Sequence, residues 1–210
     1  MVHGIHSRDE DADFYLNKLC TRADDVYRFA YVYTLNEKVA KALVDKSFKW
    51  LAENLEDVEN RDVNESIVHA VWASYKKMEK SRSHEKSDIN EIVGKMDFDE
   101  KTVSIAVDLN GLTVERAGEL FELSDSKGTL ASAQQKLLGA QVPLEVKDFS
   151  SILGYLQKRL HAMVLSEDEH VKLHQKIRSP KEFAEIENHE IEEVEESEFK
   201  GRIIRRDRKS

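Results

Sequence analysis

The chain has 210 residues, of which 40% are hydrophobic and 35% charged, with a net charge of −9. That length holds one large or two small domains, and the acidic total excludes an evenly electropositive nucleic-acid-binding surface, so any DNA contact must come from a local basic patch. A single cysteine excludes an intramolecular disulfide and fits a reducing cytoplasm, and no apolar run approaches the about 20 residues of a membrane span.

Eight Gly and two Pro leave few breakers, which predicts an all-α fold. Residues 1–12 read as a flexible tail without the apolar core of an export signal, consistent with a cytoplasmic location. From Asp13 to Tyr33, Phe14, Leu19, Ala23, Val26, Tyr27, Ala30 and Tyr33 recur at helical spacing, as one helix or as two broken near Thr21–Asp24. Cys20 falls there as a small buried apolar residue. Thr34-Leu-Asn-Glu37 is a capping-box pattern opening a helix to about Leu55, with Leu43, Val44, Ser47, Trp50 and Leu51 inward. Asp62-Val-Asn-Glu65 opens another, to about Lys80, packed through Ile67, Val68, Val71, Trp72 and Tyr75.

Residues 81–88 are polar, without apolar periodicity, and read as a linker. Two helices are expected over Ile89–Val107. Asp108 to Leu138 then reads helix, turn, helix: Thr113 caps the first helix, which turns Ala117, Leu120 and Phe121 to one face. Ser124 or Ser126 caps the second, which carries Leu130, Ala133, Leu137 and Leu138. In DNA-binding proteins this pattern sets the second helix in the major groove.

Two stretches carry a family resemblance. Asp108, Leu109, Gly111, Leu112, Thr113, Glu115, Ala117 and Leu120, followed by Leu123-Ser124 and by Gly128-Thr129-Leu130-x-Ser132, resemble the region-four domain of ECF-type bacterial sigma factors. Upstream, Asp25-Val-Tyr-Arg-Phe-Ala-Tyr31 and Ala40-Lys-Ala-Leu-Val-Asp-Lys-Ser-Phe-Lys-Trp50 are similar to the two region-two helices of that family. The resemblance covers roughly residues 13–140. It implies a region-two-like domain over 13–80 and a region-four-like helix-turn-helix domain over 89–140. It also implies core RNA polymerase as a partner, held through the exposed face of the Leu43–Trp50 helix, here Lys41, Asp45, Lys46 and Lys49. Ala42, Asp45 and Lys46 depart from the family's Asp, Gln and Glu at those places.

Promoter DNA is the second implied partner. In the family, aromatic and basic residues of region two hold a melted strand, and here Trp72 and Tyr75 with Lys76, Lys77, Lys80 and Arg82 stand in that place. The alternative is that the two aromatics are core and the lysines an ordinary helix end, which the helix dipole favours. On the second helix of the helix-turn-helix, Lys127, Thr129, Ser132, Gln135 and Lys136 are the candidate contacts. Asp97, Asp99, Glu100, Asp108, Glu115, Glu119, Glu122 and Asp125 surround them, so the fold is expected with DNA recognition weakened or lost.

The last third departs from the family. An amphipathic helix over Leu144–Val164 and a second opened by the capping box Ser166-Glu-Asp-Glu169 form a helical extension over 141–179. Such a pair needs a surface to bury against: the preceding domain, another part of the chain, or a partner. An anti-sigma or other regulatory protein is such a partner. His161, His170 and His174 lack the further ligands of a metal centre. Residues 180–210 form an acidic and then basic charged tail. There is no Walker loop, dinucleotide-binding glycine pattern, nucleophile elbow or HExxH. A non-enzymatic protein without a cofactor is therefore expected. It acts either as a transcription regulator or as an interaction module that keeps the architecture without binding DNA.

Overall fold

The computed structural model describes residues 14–58, 61–78 and 84–178. The expected tails at 1–12 and 180–210, Lys80 and Arg82 lie outside the described residues. The fold is all-α, and no strand occurs among the described residues.

Helix α1, over 14–20, stops at a turn at Thr21–Arg22, so the first periodic stretch is two helices. Helices α2 (Ala23–Thr34), α3 (Glu37–Glu53) and α5 (Val63–Lys77) pack against one another, with the short α4 (Leu55–Val58) between the last two. Their buried sides carry Val26, Leu43, Phe48, Leu51, Ile67 and Val71. Between α2 and α3 the chain turns on Leu35, fully buried at φ 51°. A left-handed backbone is unfavourable for a residue with a Cβ, and burial of the Leu35 side chain holds it there. The N-cap of α3 is Asn36, whose side chain accepts from Val39 N, and not Thr34. Thr34 sits inside α2 and donates to Ala30 O. Asp62 caps α5 as expected, and that helix ends at Lys77.

The second half begins at α6 (Asp88–Val93), capped by Ser87. The stretch expected as a linker is tied down where it is described: Glu85 N donates to Leu35 O, and Glu85 Oε1 accepts from Glu37 N. Helix α7 (Phe98–Ser104) starts in a capping box between Asp97 and Glu100 and runs into a π-helical turn, Ile105–Leu109. Then come α8 (Val114–Leu120), α9 (Ser126–Leu138), α10 (Phe149–His161) and α11 (Glu167–Arg178). Thr113 caps α8 through Arg116 N. Asp125, rather than Ser124 or Ser126, caps α9 through Gly128 N. Gly118 allows the helix-turn-helix to close: a Cβ there would stand 2.8 Å from Ser126 Oγ. Gly111, at φ 76°, makes the turn before α8.

The two halves share one continuous hydrophobic core. At their junction Tyr33 of α2, Tyr75 of α5 and Phe98 of α7 stack, with centroids 5.0 to 5.7 Å apart. The Tyr33 and Thr102 hydroxyls are hydrogen-bonded at 2.8 Å inside the core. On the rim, Arg116 of α8 grips Glu65 of α5 through two bonds of 2.7 Å, and Asn110 Nδ2 donates to Asn64 O. Chemical unfolding should therefore be a single transition, with tryptophan fluorescence and far-UV circular dichroism coincident. Tyr33→Phe keeps the ring and leaves Thr102 bonded to Phe98 O, so it should cost about 1 kcal/mol. Tyr33→Ala should cost about 3–5 kcal/mol, and urea titration reads both.

Candidate functional site

The outer face of α3 is the first candidate surface. Lys41, Asp45, Lys46 and Lys49 recur along one helix, and the structure brings them together there: Lys46 is exposed, Lys49 half-buried. Lys41 and Asp45 are already engaged from the far end of the chain. Helix α11 lies on α3, with Lys41 Nζ 2.7 Å from Glu169 Oε1 and Lys176 Nζ 2.8 Å from Asp45 Oδ2. Between these pairs Leu173 is buried next to Val44, and Leu165, ahead of α11, is buried beside them. The pairs fall in the same order along both helices, which fixes the register. Burial would raise the Glu169 carboxyl, but Lys41 and the Ser166 backbone and hydroxyl outweigh it and hold it below the usual range. A crevice of about 100 Å³ remains in this contact, lined by Lys41, Val44, Asp45, Leu173 and Lys176 among others. Both pairs are partly exposed, and such pairs contribute about 0–1 kcal/mol each.

The aromatic and basic cluster of α5 is the second. Tyr75 stacks inside the junction described above, so it is a packing residue. Trp72 is half-buried in a ladder that sequence spacing alone does not single out: Trp50, His69, Trp72 and Phe121 follow one another with centroids 5.1 to 5.4 Å apart. The signal for it was the His69/Trp72 pair three apart on α5; Phe121 joins only through the tertiary fold. Lys76 Nζ lies over the Trp72 ring at 4.2 Å, and Lys77 is exposed. His69 stacks on the Trp72 ring, Phe121 tilts against it and Lys76 lies over it, so the ring area a single-stranded base would use is largely taken.

Helix α9 is the third. Of its candidate contacts, Ser132 and Lys136 do not face outward: Ser132 Oγ donates to Glu100 Oε1 at 2.6 Å, and Lys136 Nζ donates to Glu100 Oε2 at 2.5 Å. Glu100 is buried, which alone would raise its carboxyl. The bonds from Lys136, Ser132 and Asp97 N outweigh this and hold it below the usual range. Gln134 donates to Asp108, a residue whose own carboxyl burial raises. Lys127 is paired with Glu115 at 3.0 Å. The Thr129 hydroxyl is turned back to Asp125 O at 2.7 Å. Gln135 is exposed, and so is Leu138, which sequence periodicity assigns to the buried side. The structure thus spends Ser132 and Lys136 on Glu100 of α7 and Gln134 on Asp108, and pairs Lys127 with Glu115 of α8.

Helix α10 covers α6 and α9, burying Ile152, Leu156 and Leu160. The Tyr155 hydroxyl and Arg159 meet at Asp88, whose carboxyl those two bonds hold below its usual range. The guanidinium of Arg28 on α2 donates to the carbonyls of Leu160, His161 and Met163 at and just beyond the end of α10. His170 pairs with Asp24 at 3.1 Å, and no cluster suited to a metal ion occurs among the described residues. No helix among them is long and apolar enough to cross a membrane.

Burial, helped by the Arg61 guanidinium 3.2 Å away, pushes His69 down from 6.5 to about 4. Its neutral form is the folded form at neutral pH. Below about 6.5 the unfolded chain takes up the proton first, so stability should fall as the pH drops from 6.5 towards 4. Asp108, raised by burial, works in the opposite direction. In urea titrations at pH 7 and pH 5, His69→Phe should keep the ladder and flatten the loss.

Comparison with protein-family models, with curated proteins and with solved structures found no match.

Proposed function

We propose that the chain is a sigma-like transcription regulator that docks core RNA polymerase on the outer face of α3 and has weakened promoter recognition. The observation that carries this reading is that the same face receives an amphipathic helix, α11, through Lys41, Val44 and Asp45. A surface able to seat one helix in a fixed register is suited to a helix of a partner. The two ordered motif stretches, through their resemblance to ECF sigma factors, supply the partner's identity. The reading gives the exposed Lys46 and half-buried Lys49 the role of peripheral contacts.

A second reading is supported by α9. With Ser132 and Lys136 bound to Glu100, and Lys127 to Glu115, few cations are left to neutralise phosphate. In this reading the chain is an interaction module that binds a sigma factor, an anti-sigma factor or another regulatory protein without DNA.

Affinity capture with core RNA polymerase followed by run-off transcription separates the two. Retention of polymerase, lost at least tenfold in Lys46→Glu/Lys49→Glu, together with specific transcripts, is the expected result for the first reading. Retention of polymerase without transcripts limits the function to docking. Retention of neither polymerase nor promoter DNA removes the first reading and leaves the second.

A further inference from the structure

The two helices of the C-terminal extension are held in very different ways. Helix α10 buries three large side chains in the shared core, and Tyr155, Arg159 and Arg28 tie its middle and its C-terminal end. Helix α11 packs on α3 and reads Glu-Asp-Glu-His-Val-Lys-Leu-His-Gln-Lys-Ile-Arg, in which Leu173 and Ile177 are buried and Val171 is half exposed. Its polar anchors are the Lys41–Glu169 and Asp45–Lys176 pairs and the contacts of Asp24 with His170 and Leu165 N. Partly exposed ion pairs hold little and weaken with salt. A crevice stays open between the helices. A short non-helical stretch, 163–166, joins the anchored helix to the lightly held one.

We infer that α11 is a removable cover, and that the α3 face beneath it recognises a partner helix carrying an acid, an apolar residue four positions on and a base seven positions on. Glu169, Leu173 and Lys176 display that spacing in cis. One turn of helix separates Lys41 from Asp45, and the facing acid and base stand two turns apart, with the leucine between them over Val44. This deepens the docking reading above and rests on it only for the identity of the partner. A cover tethered by a joint as short as 163–166 acts at an effective concentration of the order of millimolar. It therefore screens out weak helices and yields to one that binds the face well below that concentration.

The test uses the full chain and a labelled synthetic peptide with the sequence of residues 163–178. In Glu169→Lys/Lys176→Glu both ion pairs become like-charge contacts, so amide exchange in α11 should rise while α3 and α10 stay protected. This released chain should bind the peptide at least tenfold more tightly than the native chain does. A peptide with the same two charges exchanged should not bind it. Adding Lys41→Glu/Asp45→Lys to the released chain should restore α11 protection and again exclude the original peptide.

Equal binding by native and released chains, no binding by the released chain at about 1 mM peptide, or α11 protection that survives the reversal each overturns the inference. Core RNA polymerase is the second arm. Stronger capture by the released chain than by the native chain supports the cover, and equal capture by both overturns it. Failure of both chains to capture polymerase overturns the docking reading alone, and the peptide arm then decides the cover.

Discussion

The structure depends on what happens at Tyr33. Its ring lies fully buried where α2, α5 and α7 meet, and its hydroxyl has one partner, Thr102. A phenol moved out of water without a partner is costly, so the hydroxyl fixes the rotation of α7 as firmly as the ring fixes its distance. Burial also drives the phenol well above its ordinary range, so it stays neutral. Thr102 in turn donates to Phe98 O, which ties the tyrosine to the first turn of α7 and through it to the capping box at Asp97. With that joint made, Lys101 is drawn inside, its ammonium reaching Tyr33 O at 3.3 Å, and burial lowers it to about 8. Neighbouring Glu100 is likewise buried and must find donors; it finds them on α9.

That sequence of requirements explains the character of α9. A carboxylate taken out of water needs cations and hydrogen-bond donors. Glu100 takes Lys136 and Ser132, and Asp108, also desolvated, takes Gln134. Two residues that read as part of a nucleic-acid-facing row, Ser132 and Lys136, are consumed in joining α9 to α7. The same side chains cannot hold a buried carboxylate and grip phosphate at once, so a face that reads DNA would demand a different residue at position 100.

Much of the secondary structure was legible because its signals are local. Thr113, Asp62 and the Ser166–Glu169 box cap helices where their spacing says, and the break near Thr21 follows from polar residues between two periodic runs. Where two cap formers stand side by side, spacing could not choose: Asn36 displaced Thr34, and Asp125 displaced both flanking serines, because the turn geometry selects which side chain can reach back. Leu138 was assigned inward from periodicity, but it is the last residue of α9 and stays exposed. The ladder of Trp50, His69, Trp72 and Phe121 was not read from the sequence, because Trp50 and Phe121 join its α5 pair only through the tertiary fold. The seat of α11 was not legible at all, since acid and base alternate everywhere in so charged a chain and Lys41 and Glu169 stand 128 positions apart.

The charge of the molecule can now be read by place instead of by sum. A net charge of −9 suggests repulsion from any polyanion, yet α3 carries Lys38, Lys41, Lys46 and Lys49 on its polar sides. Acidic residues elsewhere do not cancel this row, because screening at physiological salt confines each charge to about 8 Å. What meets the row directly is Glu169 in the first turn of α11, paired with Lys41, while Lys176 near its other end answers Asp45. The helix dipole adds its own preference for acids in the first turn, so Glu169 both favours the start of α11 and answers Lys41. Sequence acidity in this chain therefore functions as shape-matched complementarity within the fold. The α3 face, rather than the outer side of α9, is where a lysine meets an acidic helix start, Lys41 against Glu169.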